Sequence, residues 1–215
     1  MKINESGRSM IEMLGVLAII GVLSVGGIAG YSKAMSKYRV NKTVDQISHI
    51  AANTRILFGS QTSYSSLGAS AEAAKDIIDK AKLFPQEMGS GGNYTNPFQG
   101  DVDIMAAGRF TAAADSSGDN KAFMLVYEGI PEEACVDLAT LDWGTGSGGG
   151  LVALGVNTSV KSSNAGGCTG QTATAASGNS SGTAIVCGGS AVMTVENAVK
   201  ACSKTDGNVL YFKFY

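Results

Sequence analysis

Histidine is almost missing from this sequence: His49 stands alone among 215 residues, and there are only 3 prolines. A histidine-built metal centre or a serine triad needs an imidazole held among fixed partners. His49 lies beside Ile50 in a helical stretch with no second ligand near it in sequence, so neither is expected. Charge is scarce as well, at 16% of residues with a net charge of −2. A disordered chain is strongly charged and poor in hydrophobes, whereas this one is 44% hydrophobic and should fold. No basic excess exists to draw in phosphate, and no nucleic-acid partner is expected. The four cysteines, Cys135, Cys168, Cys187 and Cys202, contain no C-x-x-C pair, which argues against a zinc site or a thioredoxin motif.

Other constellations fail on spacing. The run Asp115–Asn120 has calcium-like residues without the twelve-residue loop. Gly144–Gly150 is dense in glycine, but no Lys-Ser/Thr follows to complete a phosphate cradle. Asn157 and Asn179 begin glycosylation sequons, which serine-rich loops produce by chance. The chain reads as non-enzymatic, with no catalytic residues, no cofactor and no metal.

What is present in excess is glycine, 29 residues, and an uneven spread of hydrophobicity. Met13–Gly30 runs for 18 residues without a charge. At about 1.5 Å per residue that nearly matches a hydrocarbon core. A secretory signal peptide and a plain transmembrane anchor both fit such a run. Neither accounts for Glu12 at its edge, because a carboxylate at the lip of a membrane span is costly without a partner. Gly15, Gly21, Gly26, Gly27 and Gly30 each cost a helix interior up to about 1 kcal/mol against alanine, yet small residues let helices approach closely.

The string Gly7-Arg8-Ser9-Met10-Ile11-Glu12-Met13-Leu14 resembles the prepilin signal of type IV pilins and pseudopilins. The resemblance implies a leader of residues 1–7, cut after Gly7 by a prepilin peptidase. It implies N-methylation of Arg8 as the new N-terminus, a position the family usually gives to a hydrophobe. It makes Glu12 the glutamate that meets the N-terminal amine of a neighbouring subunit, setting the axial register of a filament. Arg8 is a second candidate cation for Glu12. Gly15 and Gly21 belong to the same assembly helix, and the resemblance implies lost helical order between Gly21 and Gly30 in the filament.

Ser32–Phe58 continues without proline or glycine. Val40, Val44, Ile47, Ala51, Thr54 and Phe58 recur at steps of three and four, which predicts one buried stripe, and Gly59 is a plausible stop. A helix over 8–58, with 8–30 as membrane span and filament core, would reach roughly 70 Å. Its first half must then bury itself in membrane or in other subunits. Lys33, Lys37, Arg39 and Lys42 form a basic collar read as a solvated face.

Residues 59–215 read as a globular head. A helix capped by Ser70 is expected to run to Phe84 and end at Pro85, followed by a glycine loop at 89–92. Strands are expected at Val102–Met105, Arg109–Ala113, Ala122–Glu128, Leu151–Val156, Ala184–Val186 and Val209–Tyr215. Short helices are expected from Pro131 to Leu141 and from Thr194 to Cys202. The remainder of 144–186 reads as surface loops with Lys161 as their only charge. The fold class is α+β.

Asn96-Pro97-Phe98, Asn120-Lys121-Ala122-Phe123 and Cys135-Val-Asp-Leu138 narrow the resemblance to type IVb pilins. That implies the pilin fold: a long N-terminal helix on an antiparallel sheet, with a disulfide-bonded C-terminal region. Four cysteines allow three pairings; the family pattern ties Cys135 to Cys202, which leaves Cys168 with Cys187. The implied function is a structural, homo-oligomeric subunit of an extracellular pilus on the cell surface. Before that it would sit in the bacterial inner membrane as a prepilin and pass through a pilus assembly platform. A pseudopilin or minor pilin, or a monomeric membrane-anchored binding domain, remains as the alternative.

Overall fold

The computed structural model describes residues 10–68, 70–108, 120–143, 150–157, 174–179, 183–187, 192–204 and 207–215. They divide into two compact units at Tyr38/Arg39. Helix α1 is Met10–Phe58 and ends one residue before Gly59. In the first unit it is helical throughout, including Gly21–Gly30. The loss of helical order expected there concerns the assembled filament, not this single chain.

In the second unit α1 supplies one wall of the core. Val40, Ile47, Ala51, Thr54 and Phe58 are buried as the periodicity predicts, and Val44 is half-buried against them. The buried surface is wider than that stripe, because Thr43, Gln46 and Ile50 are buried too. Thr43 is accommodated by donating its Oγ1 hydrogen to Arg39 O at 2.9 Å. Gln46 donates Nε2 to Glu87 at 3.2 Å, while its buried Oε1 has no hydrogen-bond partner.

Helix α2, Ala71–Ala81, starts where Ser70 accepts from Ala73 N at 3.3 Å. The expected end at Phe84 is corrected: Lys82 turns left-handed at φ 54°, and Leu83 N donates back to Ile78 O at 3.0 Å. This turn swings Leu83 and Phe84 into the core, where both are buried. Gly89–Gly92 is not an open loop. Strands β1, Gly89–Ser90, and β2, Asn93–Tyr94, form a tight hairpin around Gly91 and Gly92, both at positive φ.

Helix α3, Glu132–Thr140, follows Pro131, and α4, Val195–Ala201, is capped by Thr194 accepting from Asn197 N at 3.4 Å. The remaining strands are β3, Val102–Ala107; β4, Ala122–Ile130; β5, Leu151–Val156; β6, Thr174–Asn179; β7, Thr183–Cys187; and β8, Asn208–Phe214. They form one antiparallel sheet in the order β3-β4-β8-β5-β7-β6. The strand expected at 109–113 lies outside the described residues, and β6 is a strand, paired with β7, where the sequence reads as loop.

Alternation along β4 gives the sheet two covered faces. Phe123, Leu125 and Tyr127 join the main core with α1. Met124 and Val126 join a smaller cluster with Ala107, Ala122 and Ala153 on the opposite face. The C-terminal strand β8 is threaded between β4 and β5, so the sheet closes only after the whole chain has been placed.

One corner of the sheet has no room for side chains. A Cβ on Gly100 would lie 1.8 Å from Glu128 O, and one on Gly207 would lie 2.8 Å from Gly129 Cα. Asn96, nearly buried, braces this corner by donating Nδ2 to Glu128 O at 2.7 Å. Its Oδ1 accepts from Phe98 N at 2.8 Å and from Gly100 N at 3.2 Å. Gly100→Ala must therefore move backbone, and a loss of about 3 kcal/mol is expected in chemical denaturation. Gly91→Ala, whose Cβ meets nothing within 4 Å, should lose only about 1 kcal/mol, from its φ of 70°. Equal losses would show that the corner is not close-packed.

Candidate functional site

The apolar run lies on α1, and every residue from Met10 to Ala34 is exposed. Met10, Ile11, Val22, Leu23, Val25 and Ile28 are each at least 69% exposed. Because consecutive helical residues are about 100° apart, apolar side chains cover the whole circumference. A helix apolar all round is stable only where water is excluded from every side. By length and composition α1 can cross a membrane. The same surface would serve as well packed among identical helices.

Glu12 stands in the first described turn of α1. A carboxylate at a helix N-terminus is favoured by the backbone dipole, but a waterless surrounding would still demand a cation beside it. Gly7 and Arg8, the expected cleavage and methylation positions, lie outside the described residues. A Cβ on Gly15 or Gly21 would meet nothing within 4 Å. The chain's own packing therefore does not require glycine at either position.

The head presents its own charged contacts. Lys42, from the expected basic collar, pairs with Glu87 at 2.9 Å, and Gln46 bonds the same carboxylate. Hydrogen bonds from Lys42 and then Gln46 hold the Glu87 carboxyl below its usual range. The contribution of this contact is thus present at neutral pH and fades as pH falls through the carboxylate range. His49 is exposed, with Nδ1 3.2 Å from Asn53 Nδ2. Among the described residues no cluster of His, Cys, Asp or Glu could hold a metal ion.

A cleft of about 390 Å³ between α2 and the hairpin is lined by Asp79, Lys82, Gln86 and Tyr94, among others. Both oxygens of Asp79 are already engaged, by Tyr94 Oη at 3.0 Å and Gly91 N at 2.8 Å. Burial and this bond push the Tyr94 phenol up to about 12, so it stays a neutral donor. The cleft holds the hairpin to α2 and offers no reactive pair.

Cys135 and Cys202 are joined in a disulfide with Cα atoms 5.8 Å apart, both fully buried. It ties α3 to the end of α4, the helix that precedes the central strand β8. Cys168 lies outside the described residues, and with it the expected bridge to Cys187. The Asn157 sequon has a different use from glycan attachment: its amide is engaged by Ala201 O, Asn208 Oδ1 and Val209 N at 2.6–3.0 Å. Asn208, fully buried, and Asn157, half-buried beside it, are the polar residues that sequence reasoning missed, because no local signal distinguishes them from ordinary turn residues.

The family profile described as PilS N terminal matches residues 37–188. The major structural subunit of the bundle-forming pilus of Escherichia coli O127:H6 is 28% identical over 212 residues, covering 97% of this chain and 94% of that protein. The toxin coregulated pilin of Vibrio cholerae serotype O1 is 24% identical over 142 residues, 65% of this chain and 58% of that protein. The crystal structure of TcpA, a type IV pilin from the El Tor biotype of Vibrio cholerae, superposes with a TM-score of 0.51. It is 20% identical and covers 83% of this chain and 99% of that one, a likeness of fold.

Proposed function

The chain belongs to the PilS N-terminal family of type IVb-like pilins, and from that premise we propose that it is the major structural subunit of an extracellular pilus filament. The observation that carries this is the uncharged run Met13–Gly30, apolar and exposed around the whole helix. Burying it removes several hundred Å² of apolar surface per subunit from water, at about 25 cal/mol per Å². A membrane satisfies that demand before assembly, and a bundle of identical helices satisfies it afterwards.

In this reading a peptidase cuts between Gly7 and Arg8, leaving a cation at the new N-terminus, four residues ahead of Glu12. The amine of Arg8, methylated or not, or its guanidinium, meets Glu12 of the next subunit. Gly15 and Gly21 permit close approach of neighbouring helices. The prepilin resides in the inner membrane and is lifted into the filament by an assembly platform. The role is structural and non-catalytic, as the likeness to pilin structural subunits supports.

Electron microscopy of sheared surface material, labelled with antibody against the head, tests this. Labelling along the full length of filaments is expected. Labelling only at tips, or only in the membrane fraction, would contradict a major subunit.

A further inference from the structure

Two asparagines meet beside the disulfide, Asn157 just after β5 and Asn208 at the start of β8. Asn208 is fully buried. Its Nδ2 donates to Ile130 O at 3.1 Å and to Lys204 O at 3.4 Å. Its Oδ1 accepts from Asn157 Nδ2 at 3.0 Å and from Lys204 N at 3.2 Å. Asn157 Nδ2 also donates to Ala201 O at 2.6 Å, and its Oδ1 accepts from Val209 N at 3.0 Å.

The backbone groups chosen are those that flank the two cysteines. Ala201 and Lys204 bracket Cys202. Ile130 immediately precedes Pro131, whose carbonyl accepts from Cys135 N at 2.8 Å. The two amides therefore connect the Cys135 segment to the Cys202 segment without using sulfur. Each group of the fully buried Asn208 amide left without a partner would cost about 1–3 kcal/mol, and half-buried Asn157 supplies one of those partners, so the bonds are satisfied together only when both segments are in register. The strands that present these asparagines, β5 and β8, are paired with each other, which holds the two amides in place.

We propose that Asn157 and Asn208 form a positioning clasp that selects Cys135–Cys202 from the three pairings four cysteines allow. The clasp brings the two thiols together ahead of bonding. Bond formation then proceeds by thiol–disulfide exchange with a disulfide oxidant. The thiolate of one cysteine displaces a thiolate from the oxidant, and the other cysteine attacks the mixed disulfide. One protein S–S bond forms, the oxidant is reduced to two thiols, and the cysteines lose two electrons and two protons.

Oxidative refolding of the reduced full-length chain in detergent, with a glutathione redox buffer, tests the clasp. Pairing is read by peptide mapping without reduction. In the starting protein Cys135 should be found with Cys202 in nearly every chain. Asn208→Ala and the double variant Asn157→Ala/Asn208→Ala should lower that share at least threefold, in favour of links to Cys168 or Cys187. Ile78→Ala, a core cavity in α2 away from the bridge, should unfold more easily and still pair correctly. With Cys168 and Cys187 changed to serine, Asn208→Ala should lower the effective concentration of the Cys135–Cys202 pair against glutathione about tenfold. Unchanged pairing and effective concentration in the asparagine variants would overturn the proposal. So would mispairing of Ile78→Ala to the same extent.

Discussion

Glu12→Ala should reduce surface filaments about a hundredfold or more, while the protein still accumulates in the membrane. In the proposed filament, removing one member of a buried ion pair leaves the other charge uncompensated, at about 3–5 kcal/mol. Each 1.4 kcal/mol is a factor of ten in an association constant, and the cost recurs at every subunit added. Membrane insertion depends instead on Met13–Gly30, which the substitution leaves intact. Glu12→Gln keeps the shape and a hydrogen-bonding group without the charge, so it should recover only part of the loss. Quantifying sheared filaments against membrane-bound protein checks both. Normal filaments from Glu12→Ala would remove the pairing role.

Replacing Cys135 and Cys202 together by serine should lower the thermal midpoint of the full chain by about 8–16 °C. The bridge closes a sequence separation of 67 residues, which by chain entropy is worth about 4 kcal/mol, and a domain of this size shifts about 2–4 °C per kcal/mol. Both positions are fully buried, so the new hydroxyls would also need partners. The consequence reaches function through β8. That strand sits between β4 and β5, so loosening the α4 end frees the middle of the sheet rather than an edge. Circular dichroism melting reads the shift. A midpoint within 2 °C of the unaltered protein would mean that the bridge is redundant with the surrounding hydrogen bonds.

The periodic and capped parts of this chain were legible before the structure. The end of α1 at Phe58, the Ser70 and Thr194 caps and the strand through Phe123, Leu125 and Tyr127 follow from local rules that tertiary contacts reinforce. The end of α2 was misplaced because Pro85 looked like the breaker, whereas burial of Leu83 and Phe84 stops the helix earlier at Lys82. Strand β6, Thr174–Asn179, reads as low-complexity sequence, since alanine, serine and glycine carry little strand preference. It owes its conformation to pairing with β7.

Of the candidate site, the apolar surface of α1 and the place of Glu12 could be read directly, because both are consequences of composition along one helix. The Asn157–Asn208 contact could not, since its members are 51 residues apart and only the closed sheet brings them together. The glycines at 100, 129 and 207 were hidden for the same reason. Each looks like an ordinary turn residue until its backbone is seen against the others.

The central proposal is that this chain, freed of its first seven residues, polymerises through α1 into a filament. Intact-mass and N-terminal peptide measurement on filaments sheared from cells tests it most directly. A single species beginning at Arg8, with or without one methyl group, is expected as the bulk of the filament protein. Filament protein that still begins at Met1, or a chain starting at Arg8 found only in the membrane, would contradict it.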